Sequence, residues 1–297
     1  MRPLFWQRSH WQQQISRLDP ETQYEQIARI TGMLEFPWDS QQALSFALFR
    51  TYAVPSIGRL LYDTGEFTQA TQKRHDDTAL ILETLVAEGL ESPDGRAGVR
   101  RMNQMHGSYD ISNDDMRYVL STFVVTPVRW IERYGWREGL AAEKTAAVRY
   151  YQRLGRLMGI QDVPADYDGF AELMDAYEQQ TYVFDPKARA VADATLDLFV
   201  GFYPRPVRPL MRRFSIALLD DHLREAFDYP RPSRLVSRLA HGSLVARGRI
   251  VRFLPPRRKP ALLRDNHRIR SYPGGFMIER LGTFPATMPQ DSGTPTG

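Results

Sequence analysis

Apolar residues in this chain recur at spacings of three and four, and almost nowhere do they alternate. That rhythm lines one face of an α-helix, whereas a half-buried strand needs a period of two. The chain is therefore restricted to packed helices. Asp39-Ser40 opens a run carrying Ala43, Leu44, Ala47 and Leu48, and Pro55 should kink or break the pattern. The spacing predicts a helix over 71–88 with Gly89 as its stop. A second, over 94–106, sets Val99, Met102 and His106 on one side. Asn113-Asp114-Asp115 starts a third, with Met116, Val119, Leu120, Phe123 and Val124 facing inward. A helix over 142–158 stops at Gly159, Asp168 caps the next, and Asp185-Pro186 reads as an N-cap followed by a first-turn proline. Three prolines within 203–209 mark a hinge-like connection, and helices over 210–228 and 233–247 are parted by Pro230 and Pro232. Beyond residue 250 the rhythm fades. The expectation is an all-α fold of roughly eight to ten helices, in one domain over 21–284. A lead-in occupies 1–20, and 285–297 is too poor in apolar residues to order itself.

The 297 residues are 42% hydrophobic and 25% charged, enough apolar material for a sizeable core. The absence of cysteine excludes a disulfide scaffold, an iron–sulfur cluster, a thiolate zinc site and a cysteine nucleophile. No stretch reaches the roughly 18 apolar residues of a membrane span. The opening Met1–His10 lacks the apolar run and cleavage site of a signal peptide. A cytoplasmic location is expected, with peripheral contact to a membrane left open. Residues 201–270 hold 17 Lys and Arg against 5 Asp and Glu, whereas residues 1–200 hold 21 against 28. This basic third suits either an anionic membrane surface or the acidic remainder of the same chain. No nucleic-acid-reading motif accompanies it.

Four residues carry the candidate chemistry. His106 continues the apolar stripe of Val99 and Met102, which suits either a core histidine bonded to a carbonyl or an axial haem ligand, with Gly107 admitting the ring. Arg74 and Thr78 are four apart on one helix face, with Ile81 and Leu85 continuing it and Asp77 at its border. A cation heading an apolar stripe needs a carboxylate, a buried anion or bound oxygen. His75-Asp76 looks like the dipeptide of metal phosphohydrolases, but His10, His222, His241 and His267 supply no matching set. Phosphate loops, nucleophile elbows, zinc-protease helices and di-iron pairs are absent from the sequence.

The strings Lys73-Arg-His-Asp-Asp-Thr-Ala-Leu-Ile-Leu82 and Arg101-Met-Asn-Gln-Met-His-Gly-Ser-Tyr-Asp-Ile-Ser-Asn-Asp-Asp115 resemble the MpaB/rubber oxygenase (latex clearing protein) family. So do Tyr118-Val-Leu-Ser-Thr-Phe123, Arg129-Trp-Ile-Glu-Arg-Tyr-Gly-Trp-Arg137 and Met158-Gly-Ile-Gln-Asp-Val-Pro164. The likeness runs from about residue 20 to about 285 and leans to the fungal MpaB-like branch. It implies a globin-like helical domain around one haem b. The implied activity is oxidation or cleavage of a carbon–carbon double bond in an isoprenoid-like apolar substrate by dioxygen. By position, His106 matches the proximal iron ligand, and Arg74 and Thr78 match residues on the haem's distal side. The rubber enzymes have a lysine where Asp77 stands. For their acidic residue ahead of the distal helix, Glu66 is the nearest candidate by type. The fungal enzymes' membrane anchor has no counterpart in the reading of this chain. A haem or lipid carrier with the same fold, and a membrane- or anion-binding helical protein in which His106 is structural, are the alternatives.

Overall fold

Serine, aspartate and proline set most of the helix starts. In a computed structural model, which describes residues 8–282, the Ser92, Ser112, Asp166, Asp185, Asp220 and Ser233 side chains each accept a backbone N–H of the turn that follows. Such caps satisfy donors that have no partner within the helix. The helices, in chain order, are α1 (His10–Ile15), α2 (Tyr24–Ile30), α3 (Pro37–Thr51), α4 (Pro55–Asp63), α5 (Glu66–Gln69), α6 (Thr71–Glu88) and α7 (Pro93–His106). They continue with α8 (Asn113–Tyr134), α9 (Ala141–Leu157), α10 (Tyr167–Thr181), α11 (Pro186–Gly201), α12 (Arg208–Ala217), α13 (Asp221–Ala226) and α14 (Arg234–Val251). A π-helical turn at Thr31–Glu35 joins α2 to α3. No strand occurs among the described residues, so the all-α expectation holds. No helix of the described residues is long and apolar enough to cross a membrane.

The differences from the sequence reading have local causes. Pro55 breaks the early run outright and becomes the first residue of α4. Asp166, not Asp168, caps α10, because its carboxylate reaches the Gly169 N–H at 2.9 Å. The span 210–228 is two helices, since Asp220 caps a fresh start after the end of α12. Ile15 of α1 is wholly buried with Ile27 and Ile30, so the lead-in helps to build the core. The segment expected to disorder, 285–297, lies outside the described residues.

The largest difference is the segment 261–282. Lacking helical rhythm, it nonetheless folds back over α6 and α7 as a strap. Ile278 and Leu281 join an apolar cluster with Leu80, Ile81, Leu85, Val99 and Met102. A polar row on α6 grips it: Gln72 donates to the Arg268 carbonyl at 2.9 Å, and Asp76 accepts the N–H groups of Arg270 and Ser271, both at 3.0 Å. Glu83 accepts the Leu263 N–H and, at 2.7 Å, Arg264 Nε.

Three of the five apolar clusters among the described residues meet at the centre of the interior. One lies among α3, α4, α5, α11, α12 and α13, a second among α6, α7, α9 and the strap, and a third among α4, α8, α9 and α10. A single cavity is lined by residues from all three.

Candidate functional site

The cavity encloses about 490 Å³ and its walls are predominantly aliphatic, aromatic and methionine side chains. That size lies in the range of about 300–1,000 Å³ typical of small-molecule and cofactor sites. Helix α7 contributes Met102, Met105 and His106, the stripe visible in the sequence. Val99 is buried one turn earlier but does not reach the cavity. Helix α6 contributes Arg74, His75 and Thr78. Three of the four residues singled out by spacing, Arg74, Thr78 and His106, therefore line one space.

His106 has a buried Nδ1 with no hydrogen-bond partner. Burial first, and then the Arg74 charge, push its pKa down to about 4. The imidazole is neutral at physiological pH, with a nitrogen lone pair available. Leaving a buried polar nitrogen unpaired costs about 1–3 kcal/mol, so the site favours something that engages it. Gly107 does not line the cavity: it follows α7, and a Cβ there would meet the Asn103 carbonyl at 3.0 Å.

Arg74 donates to the Thr78 hydroxyl, and that hydroxyl bonds back to the Arg74 carbonyl at 3.0 Å. The guanidinium sits 5.1 Å from the centre of the Phe67 ring. Among the described residues no carboxylate lies within ion-pair distance of it. Burial lowers its pKa, against the opposing influence of Tyr52, Asp77, Glu66 and Tyr109. A buried cation without a counter-ion is costly, and here it is held next to an apolar space.

Asp77 does not join this group. It is fully buried, but on the strap side of α6, where it pairs with Lys73 at 2.7 Å and accepts the Tyr272 hydroxyl. It stands about 60° around the helix from Arg74, and the strap supplies Tyr272, the partner the sequence could not show. Glu66 does not line the cavity; it acts on Arg74 only through its charge.

The structure adds residues that spacing missed. Tyr52 lines the cavity, and burial pushes its pKa up to about 12. Tyr109 lines it three residues after His106. His75 also lines it, its Nδ1 3.0 Å from Asp76 Oδ1 and its ring edge-on to Phe199 at 5.6 Å. Neither tyrosine sits on a helix whose own periodicity marks it, so only the neighbouring charge of Arg74 in three dimensions identifies them.

An all-α body with a largely apolar cavity, one neutral unpartnered imidazole and a guanidinium without an ion pair among the described residues makes a site suited to a small molecule held at few polar points. Comparison with known proteins makes the class specific. The chain belongs to the family described as ER-bound oxygenase mpaB/B'/Rubber oxygenase, catalytic domain, whose model matches residues 40–252. It is 33% identical over 258 residues to the ER-bound oxygenase mpaB' of Penicillium brevicompactum, covering 81% of this chain and 61% of that protein. It is 32% identical over 222 residues to the ER-bound oxygenase mpaB of Penicillium roqueforti (strain FM164), covering 69% of this chain and 74% of the relative. The mpaB of Penicillium brevicompactum is 33% identical over 235 residues, covering 72% and 60%. The chain thus matches about three fifths of the length of two of these relatives. The matched span contains Arg74, Thr78 and His106, and it ends before the strap.

Proposed function

We propose that this chain is a haem b-dependent oxygenase that oxidises or cleaves a carbon–carbon double bond of an isoprenoid-like apolar substrate with dioxygen. The observation that carries the reading is the buried, unpartnered His106 nitrogen, held neutral in an oxygenase-family cavity that also holds Arg74. These residues fit haem: a neutral imidazole ligates iron, and Met102 and Met105 give the macrocycle an apolar wall.

When bound, haem b supplies the redox chemistry of dioxygen. The chain's own residues hold and orient. His106 on α7 would hold the iron. Arg74, fixed by Thr78, presents a positive charge toward the space in which oxygen and substrate meet. In a water-poor pocket a preorganised donor of this kind is worth about 3–4 kcal/mol of barrier. Phe123, Phe199 and Leu196 offer contact to a hydrocarbon chain and exclude water.

The test begins with identical haem reconstitution of wild type and His106→Ala, followed by haem content per chain and the Soret spectrum. Wild type should take up about one haem, and the variant should lose most of it, because the imidazole–iron bond is the main anchor of the cofactor, with His75→Ala, the other cavity histidine, as the control. Equal haem content would reject the ligand. Oxygen uptake with and without an isoprenoid alcohol then separates enzyme from carrier: alkene-dependent uptake supports the oxygenase, and its absence in loaded protein rejects it.

A further inference from the structure

Residues 229–264 contain no acidic side chain, and α14 lies within them. One face of α14 is buried through Ala240 and Gly248, where a Cβ on Gly248 would meet the Tyr134 carbonyl at 2.6 Å. The opposite face carries Leu235, Leu239 and Ile250, continued by Phe253 just past the helix end; these are 66%, 52%, 64% and 86% exposed. At 100° per residue the four fall within about 60° of arc, in a stripe roughly 27 Å long. Only the small residues Gly242 and Ala246, also exposed, stand between them. Single exposed leucines are ordinary, but two pairs of large apolar side chains aligned on one helix face with only Gly242 and Ala246 between them are not.

Arg234, Arg238, Arg249 and Arg252 form a row along one edge of this stripe, all exposed. None of the four has an ion-pair partner among the described residues. Other arginines of the basic third do meet carboxylates: Arg212 meets Asp193 at 2.6 Å, Arg247 meets Asp39 at 2.8 Å and Arg264 meets Glu83 at 2.7 Å. Internal neutralisation therefore accounts for part of the basic surplus and leaves this row free. Helix α12 packs against α14, and the neighbouring corner adds exposed Val207 and Leu210 beside Tyr203, which also lines the cavity.

We infer that α14 docks this protein onto an anionic lipid membrane. The apolar stripe enters the headgroup–acyl boundary, and the arginine row bonds lipid phosphates. An apolar stripe edged by unpaired cations, on a helix whose other face is anchored to the protein, is the pattern of a helix lying in the interface plane. Lipid suits the arrangement better than a protein partner, because the whole 36-residue segment offers a partner no carboxylate to pair with. The inference stands independently of haem.

Co-sedimentation of the full chain with phosphatidylcholine vesicles, with and without phosphatidylserine, tests it. The chain should pellet with the phosphatidylserine vesicles at low salt and be released as salt shortens the screening length. Changing all four arginines to glutamine should weaken partitioning by two orders of magnitude or more, roughly fivefold per residue, and changing them to lysine should restore most of it. The neutral pair Leu239→Gln and Ile250→Gln should weaken it about tenfold or more. All these positions are exposed, and an unchanged helical circular dichroism spectrum verifies folding. Failure of the wild type to pellet overturns the inference. So does loss with the arginine changes but not with Leu239→Gln and Ile250→Gln, which would indicate a general polyanion surface. A lipid-free dimer in sedimentation velocity that Leu239→Gln dissociates would assign the stripe to a second copy of the chain instead.

Discussion

Arg74 is the residue at which stability and function part. Its guanidinium is buried, bonded to Thr78 and without a carboxylate at ion-pair distance among the described residues. Arg74→Met keeps the length of the stem and removes the uncompensated charge. The chain should gain about 1–3 kcal/mol in urea denaturation, while alkene-dependent oxygen uptake falls by roughly 10²–10³. Loss of stability in Arg74→Met would show that the charge has a partner in solution. Thr78→Val removes the hydroxyl that orients the guanidinium and leaves the shape intact. Uptake should drop roughly 10–100-fold with haem content unchanged, and unaltered uptake would remove Thr78 from the site. Arg74, Thr78 and His106 were legible because each lies on a helix whose own rhythm shows which way it faces. Asp77 was misplaced for the opposite reason: its partners Lys73 and Tyr272 include one from 195 residues away, beyond the reach of any local pattern. Tyr52 and Tyr109 were illegible for the same reason.

Helix α6 carries two jobs on adjacent faces, one toward the cavity and one toward the strap. The strap face turns on Asp76. Burial alone would raise its carboxyl, but bonds from His75, the Arg270 and Ser271 N–H groups and the Ser271 hydroxyl outweigh that and hold its pKa down at about 2. The folded value lies below the ordinary carboxylate value of about 3.9. The stability it contributes, about 2 kcal/mol, is therefore complete above about pH 4 and is lost as pH falls through about 2. Asp76→Asn should cost about that much at pH 7, and the denaturation midpoints of variant and wild type should converge as pH approaches 2. A constant gap between them across that range would mean the carboxylate charge is not what holds the strap. Helix boundaries such as Thr71–Glu88 and the φ of +91° at Gly89 were readable from propensity and capping. The strap was not, because turns and single apolar residues acquire meaning only against the surface they cover.

Across the whole molecule, one partly buried side chain ties together elements that are distant in sequence. Arg50 of α3 pairs with Glu178 of α10, its Nε 2.8 Å from that carboxylate, and with Asp220, the cap of α13. Glu178 also accepts the hydroxyl of wholly buried Tyr118 of α8 at 3.0 Å. Arg50→Met leaves Glu178 in the interior without its cation and should cost about 3–5 kcal/mol, read as a lower urea midpoint. Near-native stability would show that Tyr118 suffices to hold the carboxylate. The helical class, and a core built from amphipathic faces, were legible from periodicity. The meeting of three apolar clusters around one cavity was not, since periodicity says which face is buried and not against which neighbour.

The strap also sets an order of events during synthesis. Ala261, Leu263, Arg268 and Ile269 form part of the cavity wall, and at about 5–20 residues per second they leave the ribosome seconds after the residues of α6 and α7. Throughout that interval Asp76, Asp77 and Glu83 stand without the strap groups they bond in the finished protein, and the pocket lacks a side. The earlier helices thus leave the cavity one wall short, and its finished shape depends on contacts between residues 194 and 195 positions apart in the chain.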